Sequence, residues 1–556
     1  MEEFSLLIGG RAGDGIDKAS LVLARILGRL GYYIYIYREY PSLIRGGHTF
    51  SIIRISRNKI AVHRDKVDCI LALNQETLDS HKNRLKNNAF LIYDSELVKT
   101  ENLHFEGRKQ GIPFEKFVKE EKTSTVVRNS GIIGSFCRST GIGWNVLENV
   151  FKKNIAKEFE SNLKIALKGY DLSDQLLSLD ATRQKSLPIL TGNEAIGLGL
   201  VRAGLKAYVA YPMTPTSNIL HFLAGVSEKY GLKVVHPESE IGVILMAEGL
   251  SYAGERTAAG TSGGGFCLMT EGFTFAGMAE LPVVIVLGQR TGPSTGLPTY
   301  TGQTELLFAL NAGQGEWTRL VIAPGDAEEA YYWSAVCLNL AWKYQLPGIV
   351  LVDKTLCEGT YSFDIDLIED IRKCAPVFWD GKMQYKRYLK TDSCVSPLAF
   401  PSAKDAIVKI NSYEHDEFGI TVEDSETTKN MCDKRMRKER FLLEELGEYK
   451  PMRVYGNINS EIGIICWGSN KGICVEAGKK LGLKVIHPVV LSPFPAVEFK
   501  SAVSGLKKTV CVENNASGQL ARLLKIHGFD VDEKILKYDG RPFSLDELEN
   551  ELRKIS

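Results

Sequence analysis

Several features that would place this chain in a membrane, a secreted scaffold or a metal centre are missing from its 556 residues. No apolar run approaches the ~20 residues that a membrane span requires, and the longest lies near residues 281–287. None of the eleven cysteines (69, 137, 267, 337, 357, 374, 394, 432, 466, 474 and 511) forms a Cys-x-x-Cys pair, so the chain encodes no zinc ribbon or ferredoxin-type cluster of its own. That odd, dispersed set is no disulfide framework and fits a reducing compartment. The nine histidines contain no His-x-x-x-His pair. An excess of either charge is absent too. Lys and Arg number 68 against 67 Asp and Glu, a net +1, which argues against a chain built to coat nucleic acid or an acidic membrane. The opening Met-Glu-Glu-Phe is acidic where a secretory signal is basic. The expectation is a cytoplasmic protein with no nucleic-acid or membrane partner. Any metal or electron centre that it uses comes from another chain.

What is present is a long α/β pattern without tandem repeats. The length predicts three or four domains. Residues 1–180 open with an apolar strand at 4–8, a glycine turn at 9–15, an amphipathic helix from Ile16 to Leu30 and a β-rich stretch at 33–37, which reads as a βαβ unit. Glycines between strand and helix let backbone N–H groups approach an anion, or simply make a tight turn. Residues 188–365 repeat strand and helix, with strands expected at 207–211, 233–236, 281–287, 320–323 and 348–352, giving a mostly parallel sheet. Three loops there, 211–217, 261–265 and 289–296, are rich in Gly, Pro, Ser and Thr. Each follows a strand, where ligands of such sheets bind. Residues 366–455 are a connecting region whose basic stretch 434–440 predicts a solvated charged helix. Residues 456–556 return to α/β, with strands at 462–466, 484–487 and 509–513 and a capping box at Ser544-Leu545-Asp546-Glu547.

These strings, in this order, resemble the α subunit of 2-oxoacid:ferredoxin oxidoreductases, in the form with a γ-type domain fused in front. Residues 9–15 and Glu39-Tyr40-Pro41-Ser42-Leu43-Ile44-Arg45-Gly46-Gly47-His48 look like the γ-type domain. Residues 211–218, Glu238-Ser239-Glu240, 261–265 and 289–296 look like the thiamine-diphosphate pyrimidine-binding domain. Residues 414–419 with the basic helix are similar to the connecting region. Residues 513–519 and 538–543 look like a transketolase C-terminal-like domain. Two departures stand out: Asn218 replaces the usual aspartate, and Gly264 replaces a usual proline.

The resemblance implies thiamine diphosphate shared with a β subunit that also brings Mg²⁺ and an iron–sulfur cluster. Coenzyme A is implied as co-substrate, ferredoxin as electron acceptor, and αβ or (αβ)2 as the assembly. The substrate would be a 2-oxoacid of the 2-oxoglutarate or pyruvate type. Glu240 matches the carboxylate that meets the aminopyrimidine N1′, with Tyr211 and Pro212 in the same cofactor site. Thr214 and Arg290 match the positions that hold the substrate carboxylate, and Arg45, Gly46 and Gly47 are candidates for coenzyme A. Gly13-Asp14-Gly15 imitates half of a metal–diphosphate motif, but no Asn lies between 38 and 50, so no metal ligand is assigned to this chain.

Plainer readings stand beside these. Glu240 suits the dipole of a first helical turn, Thr214 suits a helix N-cap, and Arg290 suits a structural ion pair. A non-catalytic subunit of the same fold is one alternative. A Rossmann-type NAD enzyme is another, with Glu39 near the required acidic position.

Overall fold

The computed structural model describes residues 2–42, 46–182, 184–372 and 374–555. Among them three sheets form, each with helices between its strands, as an α/β chain requires. Contacts divide the chain into two compact units, Met1–Leu190 with Glu358–Asp364 and Ser544–Ile555, and Thr191–Cys357 with Ile365–Phe543. Segments 358–364 and 544–555, which the sequence pattern groups with later domains, pack with the N-terminal unit. Thr360–Ser362 pairs antiparallel with Tyr33–Glu39, and Arg38 Nη1 donates to Glu358 O at 2.9 Å and Thr360 Oγ1 at 2.7 Å. The capping box is present at the start of the helix Leu545–Arg553, where Asp546 accepts from Arg64 at 2.7 Å.

The first unit carries an eight-stranded mixed sheet. Its strand Glu3–Arg11 leads through Gly15, at φ 77°, into the helix Ile16–Arg29. The expected βαβ unit needs correction. His48–Ser56 lies between Glu3–Arg11 and Tyr33–Glu39, antiparallel to both, so those two strands do not pair. Asp14 Oδ2 accepts the Arg11 N–H at 3.0 Å, which closes the glycine turn. Gly46 and Gly47 both have φ near +81°, a region that only glycine enters freely, and Gly47 O accepts from Ala12 N at 3.0 Å. The two γ-type motifs therefore meet. Arg45 lies outside the described residues.

The second unit holds a seven-stranded and a five-stranded sheet. Val283–Gln289 lies inside the former, parallel to Thr257–Ser262 and Gly348–Asp353 and buried along its length. A continuous apolar run is the signature of a strand covered on both faces, and each such side chain contributes about 1.5–3 kcal/mol of burial free energy. Two glycines let the next segment lie across these strand ends. A Cβ on Gly260 would stand 2.0 Å from Tyr208 Oη, and one on Gly288 would stand 2.6 Å from Thr216 Cγ2. Val490–Ser492 joins the edge of this sheet antiparallel to Leu320–Ile322, a pairing that no local pattern announces.

The charged helix is not a solvated one. Ser425–Leu446 buries Lys434, Arg435 and Lys438. Lys434 Nζ and Lys438 Nζ both reach the buried Glu280 carboxylate, at 2.6 and 2.5 Å, and Arg435 pairs with Glu414 at 2.6 Å. A charge run shows nothing of a partner 154 residues away. Burial alone would raise the Glu280 carboxyl, but Lys434, Lys438 and Arg387 together hold it well below the usual carboxylate range. Burial pushes Lys438 down to about 7. Glu280→Gln leaves two buried ammonium groups without a counter-charge, and urea unfolding is expected to show a loss of about 3–5 kcal/mol. A loss below about 1 kcal/mol, the value of an exposed pair, would return this helix to the solvated reading.

Candidate active site

Three strands of the seven-stranded sheet end side by side, and Tyr211, Pro212, Thr214 and Arg290 lie just beyond them. Ala207–Ala210 leads into 211–217, Thr257–Ser262 into the helix Gly263–Met278, and Val283–Gln289 into 290–305. The expected loop at 261–265 is a strand end followed at once by the first helical turn. Thr216 Oγ1 donates to Thr261 O at 3.1 Å, Asn193 Nδ2 donates to Pro215 O at 2.9 Å, and Ser262 Oγ meets Met213 Sδ. Tyr211 and Pro212 follow directly on the strand Ala207–Ala210, with Tyr211 exposed and its ring 5.9 Å from that of His236.

Arg290 and Thr214 are brought together. Arg290 Nη1 donates to Thr214 O at 3.2 Å, and among the described residues the guanidinium closes no ion pair within 4 Å. Thr214 is not a helix cap, because Thr216 holds the N-cap position of the helix Ser217–Gly225.

Glu240 is the first residue of the helix Glu240–Tyr252, as a dipole-suited glutamate would be. Its burial goes further than that role asks. The residue is 4% exposed, and Oε1 is buried with no hydrogen-bond partner among the described residues. Leaving a carboxylate oxygen so placed costs about 1–3 kcal/mol or more unless a ligand completes it. Gly265 makes the room: a Cβ there would stand 2.6 Å from Glu240 Oε1 and 2.2 Å from Thr261 Oγ1. A Cβ on Gly264 would meet nothing within 4 Å. Gly265→Ala is expected to cost about 1–3 kcal/mol in thermal unfolding, the range for overpacking, while Gly264→Ala leaves stability within about 0.5 kcal/mol. Equal melting temperatures in the two variants would show that Gly265 does not shape the Glu240 pocket.

Sequence reasoning missed other groups here. Glu305, at the N-cap of the short helix Leu306–Asn311, has a buried, unpartnered Oε2. Burial pushes its carboxyl up to about 7 against the lowering pull of Thr304 and Arg290. Gln303 is fully buried and bonds to Trp467 O, Asn470 and the backbone of Asn514 at 2.8–3.0 Å. Gln519 bridges Thr304 O at 2.7 Å and Leu307 N at 2.9 Å. The 513–519 motif thus clamps the segment that follows Arg290. Nothing in the letters Gln-Thr-Glu separates that segment from an ordinary helix start.

Around Glu240 the surface is apolar. Ile241, Leu245 and Met246 on its helix and Leu268 on the next are exposed, each by about half. Exposed apolar side chains grouped in this way are the mark of an interaction surface.

Two family models match the chain. Residues 198–434 match the thiamine-diphosphate-binding pyruvate flavodoxin/ferredoxin oxidoreductase family, and residues 5–172 match the pyruvate ferredoxin/flavodoxin oxidoreductase family. The α subunit of 2-oxoacid:ferredoxin oxidoreductase from Saccharolobus solfataricus is 32% identical over 99% of this chain and 97% of its own length. A 2-oxoglutarate synthase subunit, KorA, from Methanocaldococcus jannaschii is 30% identical over 59% of this chain and 88% of its own. The solved 2-oxoglutarate:ferredoxin oxidoreductase from Magnetococcus marinus, with 2-oxoglutarate, coenzyme A and succinyl-CoA bound, superposes with a TM-score of 0.92 at 30% identity, covering 100% of this chain and 99% of that one.

Proposed function

We propose, for a chain that belongs to the family of 2-oxoacid:ferredoxin oxidoreductase α subunits, that it supplies the pyrimidine-holding half of a thiamine-diphosphate site. With a β-type partner it would catalyse the CoA-acylating oxidative decarboxylation of a 2-oxoacid: 2-oxoacid, coenzyme A and two oxidised ferredoxins give acyl-CoA, carbon dioxide, a proton and two reduced ferredoxins. The observation that carries this reading is the buried, unpartnered Glu240 oxygen beside Gly265, which is the acceptor that a protonated ring nitrogen needs.

When bound, thiamine diphosphate supplies the nucleophilic carbon and the electron sink for decarboxylation. The residues of this chain would hold the pyrimidine and the substrate carboxylate. Glu240 would accept a hydrogen bond from N1′ and hold the proton there. Tyr211 and Pro212 would help to hold the ring. Arg290 offers a planar donor fork and Thr214 a hydroxyl to the substrate carboxylate. The diphosphate, Mg²⁺ and iron–sulfur cluster are assigned to the partner, because this sequence carries neither a metal–diphosphate motif nor a cysteine cluster motif. The exposed apolar residues 241, 245, 246 and 268 are the surface that such a partner would cover. The γ-type domain at 1–180, the pyrimidine domain at 188–365, the connecting region at 366–455 and the final domain at 456–556 are the proposed functional divisions. Arg45, Gly46 and Gly47 are proposed for coenzyme A. No described helix is long and apolar enough to cross a membrane, and a cytoplasmic αβ or (αβ)2 assembly is proposed.

Steady-state reduction of ferredoxin by the chain co-purified with its β-type partner tests this reading. Reduction that needs both coenzyme A and a 2-oxoacid from a panel of pyruvate, 2-oxoglutarate and branched-chain acids is expected. A complex that binds the cofactor yet turns over none of them would favour the non-catalytic reading.

A further inference from the structure

The substrate reading of Arg290 leaves the neighbouring carboxyl of Glu305 unexplained. Its position is built from several sides. Oε1 accepts from Thr304 Oγ1 at 2.8 Å, and the same oxygen lies 2.7 Å from where a Cβ on Gly263 would stand. The Glu305 N–H donates to Gln289 Oε1 at 3.1 Å. With Gln303 and Gln519 pinning the backbone on either side, the carboxyl has little freedom to swing away. Oε2 remains buried without a partner among the described residues.

The first residue of Gly263–Met278 lies against the Glu305 carboxyl, and the neutral amides of Gln289 and Gln519 hold the backbone around it. Among the described residues the cation whose charge acts on this carboxyl is Arg290, next in sequence to Gln289 and with its carbonyl oxygen 3.5 Å from Thr304 Oγ1. The Glu305 carboxyl and the carboxylate of an incoming 2-oxoacid are therefore drawn to the same guanidinium.

We infer that Glu305 is a positioning residue that sets the anion affinity of the Arg290 subsite, and that a substrate carboxylate enters together with a proton on Glu305. This rests on the substrate reading of Arg290. Ionised Glu305, substrate carboxylate and one proton give protonated Glu305 with the substrate bound; no other bond changes. The carboxyl, pushed up to about 7 by burial, is protonated below that pH and ionised above it. Anion affinity is thus strongest on the acid side and falls as pH rises through that value.

The test uses the assembled complex and an unreactive isostere, oxamate, or N-oxalylglycine where the complex turns over 2-oxoglutarate. Its Kd is measured by titration calorimetry between about pH 6 and about pH 8.5. In the wild type the Kd is expected to rise roughly fivefold to tenfold over this range, the effect of about one pKa unit of charge coupling. Glu305→Gln is expected to hold the low-pH affinity throughout, with KM lowered at the alkaline end and kcat within about threefold of wild type. Glu305→Asp, which keeps the charge, retains the slope. A wild type without the slope, or a Glu305→Gln variant that keeps it, overturns the inference. Arg290→Ala separates the two claims. If that variant binds the isostere as the wild type does, the substrate reading itself fails. If it loses the isostere while Glu305→Gln keeps the slope, the inference about Glu305 alone fails.

Discussion

In the assembled complex, Glu240→Gln is expected to slow exchange of the C2 proton of bound thiamine diphosphate by about 10²–10⁴-fold, the range for losing acid–base assistance. Gln keeps the size of the side chain and one hydrogen bond, but a neutral amide cannot stabilise the protonated aminopyrimidine. The pocket gives this substitution little room to compensate, because Gly265 and Thr261 close on the carboxyl from one side. Cofactor content should fall far less than the exchange rate, since the diphosphate is assigned to the partner. Acid-quenched NMR follows the exchange before any substrate binds. A glutamate that merely suits the helix dipole predicts an unchanged rate and a small shift in melting temperature. Wild-type exchange with cofactor still bound would remove the role assigned to Glu240 and leave the family membership standing.

Arg290→Ala is expected to lower kcat/KM for the 2-oxoacid by roughly 30-fold to 1000-fold, about 2–4 kcal/mol for a lost charge-assisted contact in a half-buried site. Because Arg290 also bonds the Thr214 carbonyl at 3.2 Å, part of that loss comes from loosening the 211–217 segment. Arg290→Lys should recover little, as a point charge does not reproduce the planar fork. Cofactor content by extraction and thermofluor should stay near wild type. Near wild-type efficiency in the alanine variant would make Arg290 a structural clamp on Thr214.

The sequence made the second unit more legible than the first. A buried parallel strand is a continuous apolar run, and Val283–Gln289 and Gly348–Asp353 stand where such runs predict. The strand ends then locate the residues at 211–217, 261–265 and 289–296. Pairings between distant segments carry no such mark. His48–Ser56 looks like any strand, and nothing local tells that it inserts between its two predecessors. The cations of Ser425–Leu446 have the spacing of a solvated helix, and only the fold brings Glu280 to them. Glu305 was invisible for the same reason. Its environment is made by Gly263, Arg290 and the 513–519 motif, more than two hundred residues downstream, and single-sequence reasoning sees each of these separately.

The central claim is that this chain is one half of a cofactor site, and Mg²⁺–thiamine diphosphate binding tests it most directly. Titration calorimetry on the chain alone, on the β-type partner alone and on the assembled complex separates the contributions. Tight, saturable uptake is expected in the complex, and no tight uptake by the chain alone. Stoichiometric, tight uptake by the chain in the absence of any partner would contradict the account.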